Sequence, residues 1–129
     1  MKLTYFLRVV AVIQIVLGLG YLFAPGLFLQ SMGHSAVSPD IYYPLGMLAA
    51  RFIVYGSAFW LIASRPEFHR TWILGMAYIQ LLDFLVGVTY TGMGIVPLSL
   101  SGFPMFNAIW IGLLCWWWAP EKNSIDSAK

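Results

Sequence analysis

The sequence predicts an all-α integral membrane protein, with four transmembrane helices in an up-down-up-down bundle and both termini in the cytoplasm. Hydrophobic residues make up 60% of the chain and charged residues 9%, whereas about a quarter of an average soluble domain is charged. Four apolar stretches each approach the roughly 20 residues that a helix needs to cross a bilayer. They lie at about 3–23, 45–63, 72–90 and 98–118. We expect one transmembrane domain over residues 1–120 and a polar cytoplasmic tail at 121–129, with short connections that make neighbouring helices antiparallel.

The first apolar stretch has a second interpretation, a cleavable signal peptide with Lys2 at its positive end. Arg8 interrupts the run, no Ala-x-Ala cleavage site follows it, and the run is longer than a typical signal core. We therefore expect a retained helix. It should end near Pro25, because proline cannot continue a helix and also restricts the residue before it.

The connection that follows, residues 24–44, is the longest in the chain. Its expected helix breakers are Gly26, Gly33, Pro39 and Pro44. Within it, residues 26–32 have the composition of a short interfacial helix whose apolar side chains would dip into lipid. The sequence leaves open whether that helix forms.

The later connections are short. Residues 64–70 predict a tight turn, and the last connection contains Gly92, Gly94 and Pro97. Pro104 is expected to begin or to kink the fourth helix.

Small residues mark the places where membrane helices can approach closely. The candidates are Ala11, Gly18, Gly46, Ala50, Gly75 and Gly87. The dipeptides Ile13-Gln14 and Ile79-Gln80 hint at a duplicated hairpin, but two residues are too few to establish a repeat.

The distribution of Lys and Arg predicts the orientation. Outside the apolar stretches these residues lie before the first helix, between the second and third, and in the tail, at Lys2, Arg65, Arg70, Lys122 and Lys129. The positive-inside rule places these regions in the cytoplasm, and five of the six tryptophans lie at the same helix ends. The formal charge of +2 is thus a topology signal that gives no reason to expect a nucleic-acid partner.

Polar residues inside the apolar stretches are the best indication of a functional site. Arg51 and Asp83 are costly to bury without a partner, and Gln14 and Asn107 fall at similar depths, about 9–13 Å below the outer boundary. Helical spacing adds three residues that share faces with the two charges, namely Tyr55, Gln80 and Tyr90. We therefore predict an Arg51–Asp83 ion pair that faces the bundle interior.

Two interpretations of this polar cluster stay open. The pair can act as a static clamp that sets the helix register. Alternatively, the layer forms the floor of a cavity that binds a lipid head group, a quinone or another small molecule. A third arrangement, in which one charge faces a partner protein, also satisfies the sequence.

Catalytic and metal-binding patterns are not evident in the sequence. His34 and His69 are expected on opposite sides of the membrane, so they cannot bind one metal ion together. The single cysteine, Cys115, is interpreted as a small apolar residue in a helix. Enzymatic activity therefore has little support, and no cofactor is implied beyond the quinone or lipid already named.

Three segments resemble the DoxX-like superfamily of small four-helix bacterial membrane proteins: residues 18–25 at the end of the first helix, residues 50–56 around Arg51, and Asp83. The resemblance implies the same four-helix bundle and an inner-membrane location. It also implies association with membrane redox or stress-response complexes, since some members are subunits of quinone-linked assemblies. The expected function is that of a non-enzymatic accessory or assembly subunit, with a larger membrane complex or a second copy as partner. The alternative is a binding or transport protein for a small hydrophobic molecule.

Overall fold

The structure is a computed structural model that describes residues 1–121, so residues 122–129 of the predicted tail lie outside the described part. The described residues form five α-helices and no strand. The helices are α1 (Lys2–Phe23), α2 (Pro25–Ser31), α3 (Tyr42–Ile62), α4 (Arg70–Gly92) and α5 (Leu98–Trp118), with short 3₁₀ turns at Pro39–Ile41 and Pro66–Phe68. The helices α1, α3, α4 and α5 are long and apolar enough to span a membrane, which confirms the predicted number of candidate spans.

The first helix ends where the sequence predicts. The backbone leaves the helical region at Ala24, with φ −141° and ψ 51°, and Pro25 then begins α2. Proline fits this first helical position because the N–H group that it lacks would have no partner inside the helix. The helix left open by the sequence at residues 26–32 does form, as α2. It ends at Ser31, and Gly33 two residues later adopts a φ of 91° that favours glycine.

Two helices are longer than their apolar stretches. The third helix begins at Tyr42 rather than near residue 45, and Pro44 lies inside its first turn, so the prediction of Pro44 as a breaker is wrong. The N–H groups of a first turn have no intrahelical acceptor, and proline there removes no hydrogen bond. The fourth helix extends two residues beyond each end of the predicted range, whereas α5 matches its prediction and contains Pro104.

The chain divides into two compact units, residues 1–64 and the described residues from 65 onward. Each unit is an antiparallel helical hairpin. We call α1 with α3 the first hairpin and α4 with α5 the second hairpin. The assembly of both hairpins into one four-helix bundle stays a prediction.

Glycine brings the helices of the first hairpin into close contact. A Cβ atom at Gly18 would lie 2.6 Å from Ile53 Cγ1 and 3.0 Å from the carbonyl oxygen of Ala49. A Cβ atom at Gly56 would lie 2.8 Å from the carbonyl oxygen of Ala11. Direct backbone approach of this kind is the usual basis of helix packing in membranes, where burial of apolar surface gives little driving force.

Among the predicted close-approach residues, Ala11 and Gly18 lie at such contacts in the first hairpin. In the second hairpin, Gly87 instead faces a side chain, because an added Cβ atom would lie 2.5 Å from Met105 Cγ. Gly46 faces open space. The second hairpin buries Ile73, Met76 and Ala77 on α4 against Ala108, Ile111 and Cys115 on α5.

Candidate functional site

The two residues of the predicted ion pair, Arg51 and Asp83, lie in the middle of their helices, and their side chains are exposed. Arg51 is nine residues from the start of α3, and Asp83 is nine residues from the end of α4. At about 1.5 Å per residue, each charge lies roughly 13 Å from its helix end, deeper than the apolar stretches alone predict. The first hairpin has a single acidic residue, Asp40, which precedes α3. The Arg51–Asp83 pair stays a prediction.

In the first hairpin, the register separates Gln14 from Arg51. Gln14 is buried on α1 and lies opposite Gly56, where an added Cβ atom would be 3.1 Å from the Gln14 Cβ atom. Because Gly56 follows Arg51 by five residues, Gln14 lies about 7 Å from Arg51 along the helix axis. Tyr55 is half-buried, with its ring edge-on to Phe59 at a centroid distance of 6.0 Å.

In the second hairpin, two predicted site residues interact with neighbours on their own helices. The indole Nε1 of Trp110 donates a 2.9 Å hydrogen bond to Asn107 Oδ1. Gln80 Nε2 donates to the sulfur of Met76 at 3.3 Å, and sulfur is a weak acceptor. Tyr90 is exposed near the end of α4. These are interactions within each hairpin, and the polar layer across the two hairpins stays a prediction.

The second hairpin contains an apolar cavity of about 240 Å³ between α4 and α5, which opens to the surface past the exposed Tyr78, Leu81 and Trp116. Its lining includes Tyr78, Gln80, Phe84, Ala108, Gly112 and Trp116. Tyr78 and Trp116 meet edge-to-face, with ring centroids 6.1 Å apart. Among the polar residues of the cluster predicted from the sequence, Gln80 lines this cavity. The sequence pointed to Gln80 but placed it beside Asp83 rather than in an apolar cavity.

The two hairpins repeat one packing pattern. On the first helix of each, Ala11 and Gln14 correspond to Ala77 and Gln80, a constant shift of 66 positions. On the second helix of each, the shift is 56 positions, and the residues that match are Gly46 with Gly102, Ile53 with Ile109, Gly56 with Gly112, and Trp60 with Trp116. Every residue buried on α4 has a buried equivalent on α1. The dipeptides noted in the sequence thus belong to a wider structural correspondence.

The equivalent surface of the first hairpin is an open groove lined by Val12, Ile15, Val16, Ser57, Trp60 and Leu61. Gln14, the equivalent of Gln80, is not among these residues. The two hairpins differ at this place, since α1 has Gly18 where α4 has Phe84, and Phe84 lines the cavity. Gly18 lets the helix backbones touch, and a phenylalanine at the same position prevents that approach, which leaves room for a cavity.

Two interactions were not predicted from the sequence. The Arg8 guanidinium lies 5.6 Å from the centre of the Trp60 ring, a cation–π geometry, whereas the position of Arg8 near one end of the first apolar stretch predicts only an anchor that reaches the membrane interface. The hydroxyls of Thr91 and Ser101 are 2.7 Å apart and join α4 to α5. Both pairs are distant in sequence, so no local pattern indicates them.

The described residues contain no group of three or more His, Cys, Asp or Glu side chains that could hold a metal ion. No family model, curated protein or solved structure matches this chain at a significant level, so membership of the DoxX-like superfamily stays a prediction.

Proposed function

We propose that this is a multi-pass protein of the bacterial inner membrane that serves as an accessory or assembly subunit of a larger, redox-linked membrane complex. The observation that carries the proposal is the position of Arg51 and Asp83, exposed in the middle of apolar helices. A charge at the centre of a transmembrane helix costs about 2.5–3.5 kcal/mol on insertion scales. A partner that supplies the complementary charge or hydrogen bonds removes much of that cost.

The apolar helix faces support the same proposal. Large side chains such as Val16, Leu82, Phe106 and Leu113 are more than half exposed, in helices of membrane-spanning length. Such a surface suits lipid or the transmembrane helices of another subunit. The bacterial inner-membrane location and the redox link come from the resemblance to DoxX-like proteins.

The test is purification of the tagged protein from its native membrane in a mild detergent, followed by quantitative mass spectrometry and measurement of the complex mass. We expect a partner in stoichiometric amount, either another protein or a second copy. Arg51→Gln should release that partner, whereas Arg65→Gln should retain it because Arg65 lies in the connection before α4. A monomer that carries no stoichiometric partner would contradict the proposal.

The proposed orientation has its own test. Both termini and the connection between α3 and α4 are assigned to the cytoplasm because the Lys and Arg residues outside the helices lie there. A reporter that is active only in the cytoplasm should work when fused to the C-terminus and fail when inserted in the connection between α4 and α5. The reverse result would overturn the orientation.

A second candidate function is the binding or transport of a small hydrophobic molecule. The observation that favours it is the cavity between α4 and α5, which combines apolar walls with one buried amide. Ligand sites commonly have this character, with few polar groups in a mostly apolar lining. The site proposed here is therefore at Gln80 rather than at the Arg51 and Asp83 positions. Extraction of the purified protein, followed by mass spectrometry of small molecules, should recover a bound compound that is absent from Ala108→Phe.

A further inference from the structure

We propose that the cavity between α4 and α5 binds a planar ring compound that carries a hydroxyl or carbonyl oxygen, with the oxygen placed at the Gln80 amide. This inference rests on the second candidate function and names the class of ligand.

The size and walls of the cavity favour a ring. Its volume is about 240 Å³, and a protein cavity of about 150 Å³ is known to accommodate benzene. One ring or two fused rings would therefore fit. The aromatic side chains of Tyr78, Phe84 and Trp116 line the cavity, and aromatic rings prefer edge-to-face or offset contacts with one another.

The amide of Gln80 favours an oxygen on that ring. Gln80 is 5% exposed, and its side chain lines the cavity. Within the described residues, its hydrogen bonding is limited to the 3.3 Å contact with Met76 sulfur. An all-carbon occupant, such as an acyl chain, would leave the carbonyl and the second N–H of this amide without partners. Leaving buried polar groups unpaired is costly, and a hydroxyl or carbonyl oxygen on the ligand removes this cost.

The first hairpin provides a natural control. Its equivalent amide, Gln14, is 4% exposed and does not line the open groove of that hairpin. It also has Phe52 at the position equivalent to Ala108. The substitution Ala108→Phe therefore introduces into the second hairpin a residue that the first hairpin already has at the same place.

The experiment measures the binding of 1-naphthol and of naphthalene to the full-length protein in lipid nanodiscs by equilibrium dialysis. A parallel dialysis against empty nanodiscs gives the partition of each probe into lipid, which is subtracted. The wild type should bind one 1-naphthol per chain, about 5- to 10-fold more tightly than naphthalene, as one net hydrogen bond contributes. Gln80→Leu should remove this preference, and the matched change Gln14→Leu should retain it. Ala108→Phe should abolish saturable binding of both probes.

The outcomes separate the inference from the function on which it rests. Equal binding of both probes by the wild type, with loss in Ala108→Phe, would overturn the ring-oxygen proposal but leave a hydrophobic site. Saturable binding that a helical, monodisperse Ala108→Phe retains would overturn the site itself and the second candidate function. If Ala108→Phe does not fold, Gly112→Ala serves in its place. The added Cβ atom would lie 3.2 Å from Gln80 Cβ, so this variant should bind 1-naphthol more weakly. Unchanged binding in Gly112→Ala would then count against the site.

Discussion

The first helices of the two hairpins, α1 and α4, bury equivalent positions, but their packing against the second helix differs. In the second hairpin a cavity reaches the buried glutamine of α4, whereas the open groove of the first hairpin does not reach that of α1. A Cβ atom at Gly56 would lie 2.8 Å from the Ala11 carbonyl oxygen, whereas one at the equivalent Gly112 would lie 3.7 Å from the Ala77 oxygen, although the equivalent glutamine Cβ atoms lie at nearly the same distance, 3.1 and 3.2 Å. The backbone contact is therefore closer in the first hairpin, so equivalent buried positions on one helix do not by themselves fix how closely the second helix packs.

Two of the side chains that differ lie at a close backbone contact of the first hairpin. In the second hairpin, Phe84 replaces the equivalent of Gly18, and Met105 replaces the equivalent of Ala49. Both changes add volume at the place where a Cβ atom on Gly18 would lie 3.0 Å from the Ala49 oxygen. Cores packed at crystal-like density respond to added volume with backbone shifts, and the cavity at Gln80 is the expected consequence.

The largest expected effect comes from the glycines. Gly56→Ala should lower the free energy of unfolding by about 2 kcal/mol, because the new Cβ meets the backbone oxygen of Ala11, which cannot move without shifting the helix. Gly112→Ala should change it by less than about 1 kcal/mol, since alanine is the better helix former and the nearest backbone atom is farther away. Titration with SDS, followed by far-ultraviolet circular dichroism, compares the two. Equal losses of unfolding free energy would contradict the closer backbone contact in the first hairpin.

The next effect tests what the hairpins share. Leu7 and Ile73 occupy equivalent positions and are both fully buried. Leu7→Ala and Ile73→Ala should each cost about 2 kcal/mol, because each deletes buried methyl groups and leaves a cavity. The exposed Leu61→Ala serves as the control and should be nearly neutral. A large cost at one buried position and none at the other would contradict the repeated packing pattern.

A smaller effect concerns the charged residue that each hairpin carries in the middle of a helix, Arg51 in the first and Asp83 in the second. If the two residues pair with each other rather than with a partner subunit, Arg51→Ala and Asp83→Ala should each destabilise the protein, because each leaves the other charge unpaired in the membrane. The double variant should be less harmful than the sum of the two, by about 1 kcal/mol. Arg65→Ala combined with Asp83→Ala is the control and should be additive. Additive losses for Arg51 and Asp83 would show that these residues do not pair.

The smallest effect concerns the tryptophans at the equivalent positions 60 and 116. Trp60 contacts Arg8, whereas Trp116 contacts Tyr78. Arg8→Gln should cost about 0.5–1 kcal/mol through the lost cation–π contact, and Arg8→Lys should cost less because the cation remains. The loss should disappear when Arg8→Gln is made in a Trp60→Leu background. A loss that persists there would assign Arg8 to anchoring alone.

Much of the fold could be predicted from the sequence, since membrane helices need long apolar runs that are easy to recognise. The end of α1 at Phe23 and both ends of α5 follow from such runs and from Pro25 and Pro97. The start of α3 was harder to predict, because a proline breaks a helix only when it lies beyond the first turn, and Pro44 lies within it. For the candidate site, the sequence identified Gln80 as a polar residue in an apolar helix, but it did not reveal the cavity.

The number and apolar character of the candidate membrane-spanning helices follow from the sequence alone, because the cost of exposing a backbone to hydrocarbon leaves little else for such stretches to form. The polar residues within them are also evident from the sequence. The contact of Gln14 with Gly56, and the position of Gln80 in a cavity beside Gly112, are set by tertiary packing. That packing depends on side chains such as Phe84 and Met105, whose volumes act on a neighbouring helix many residues away in the chain.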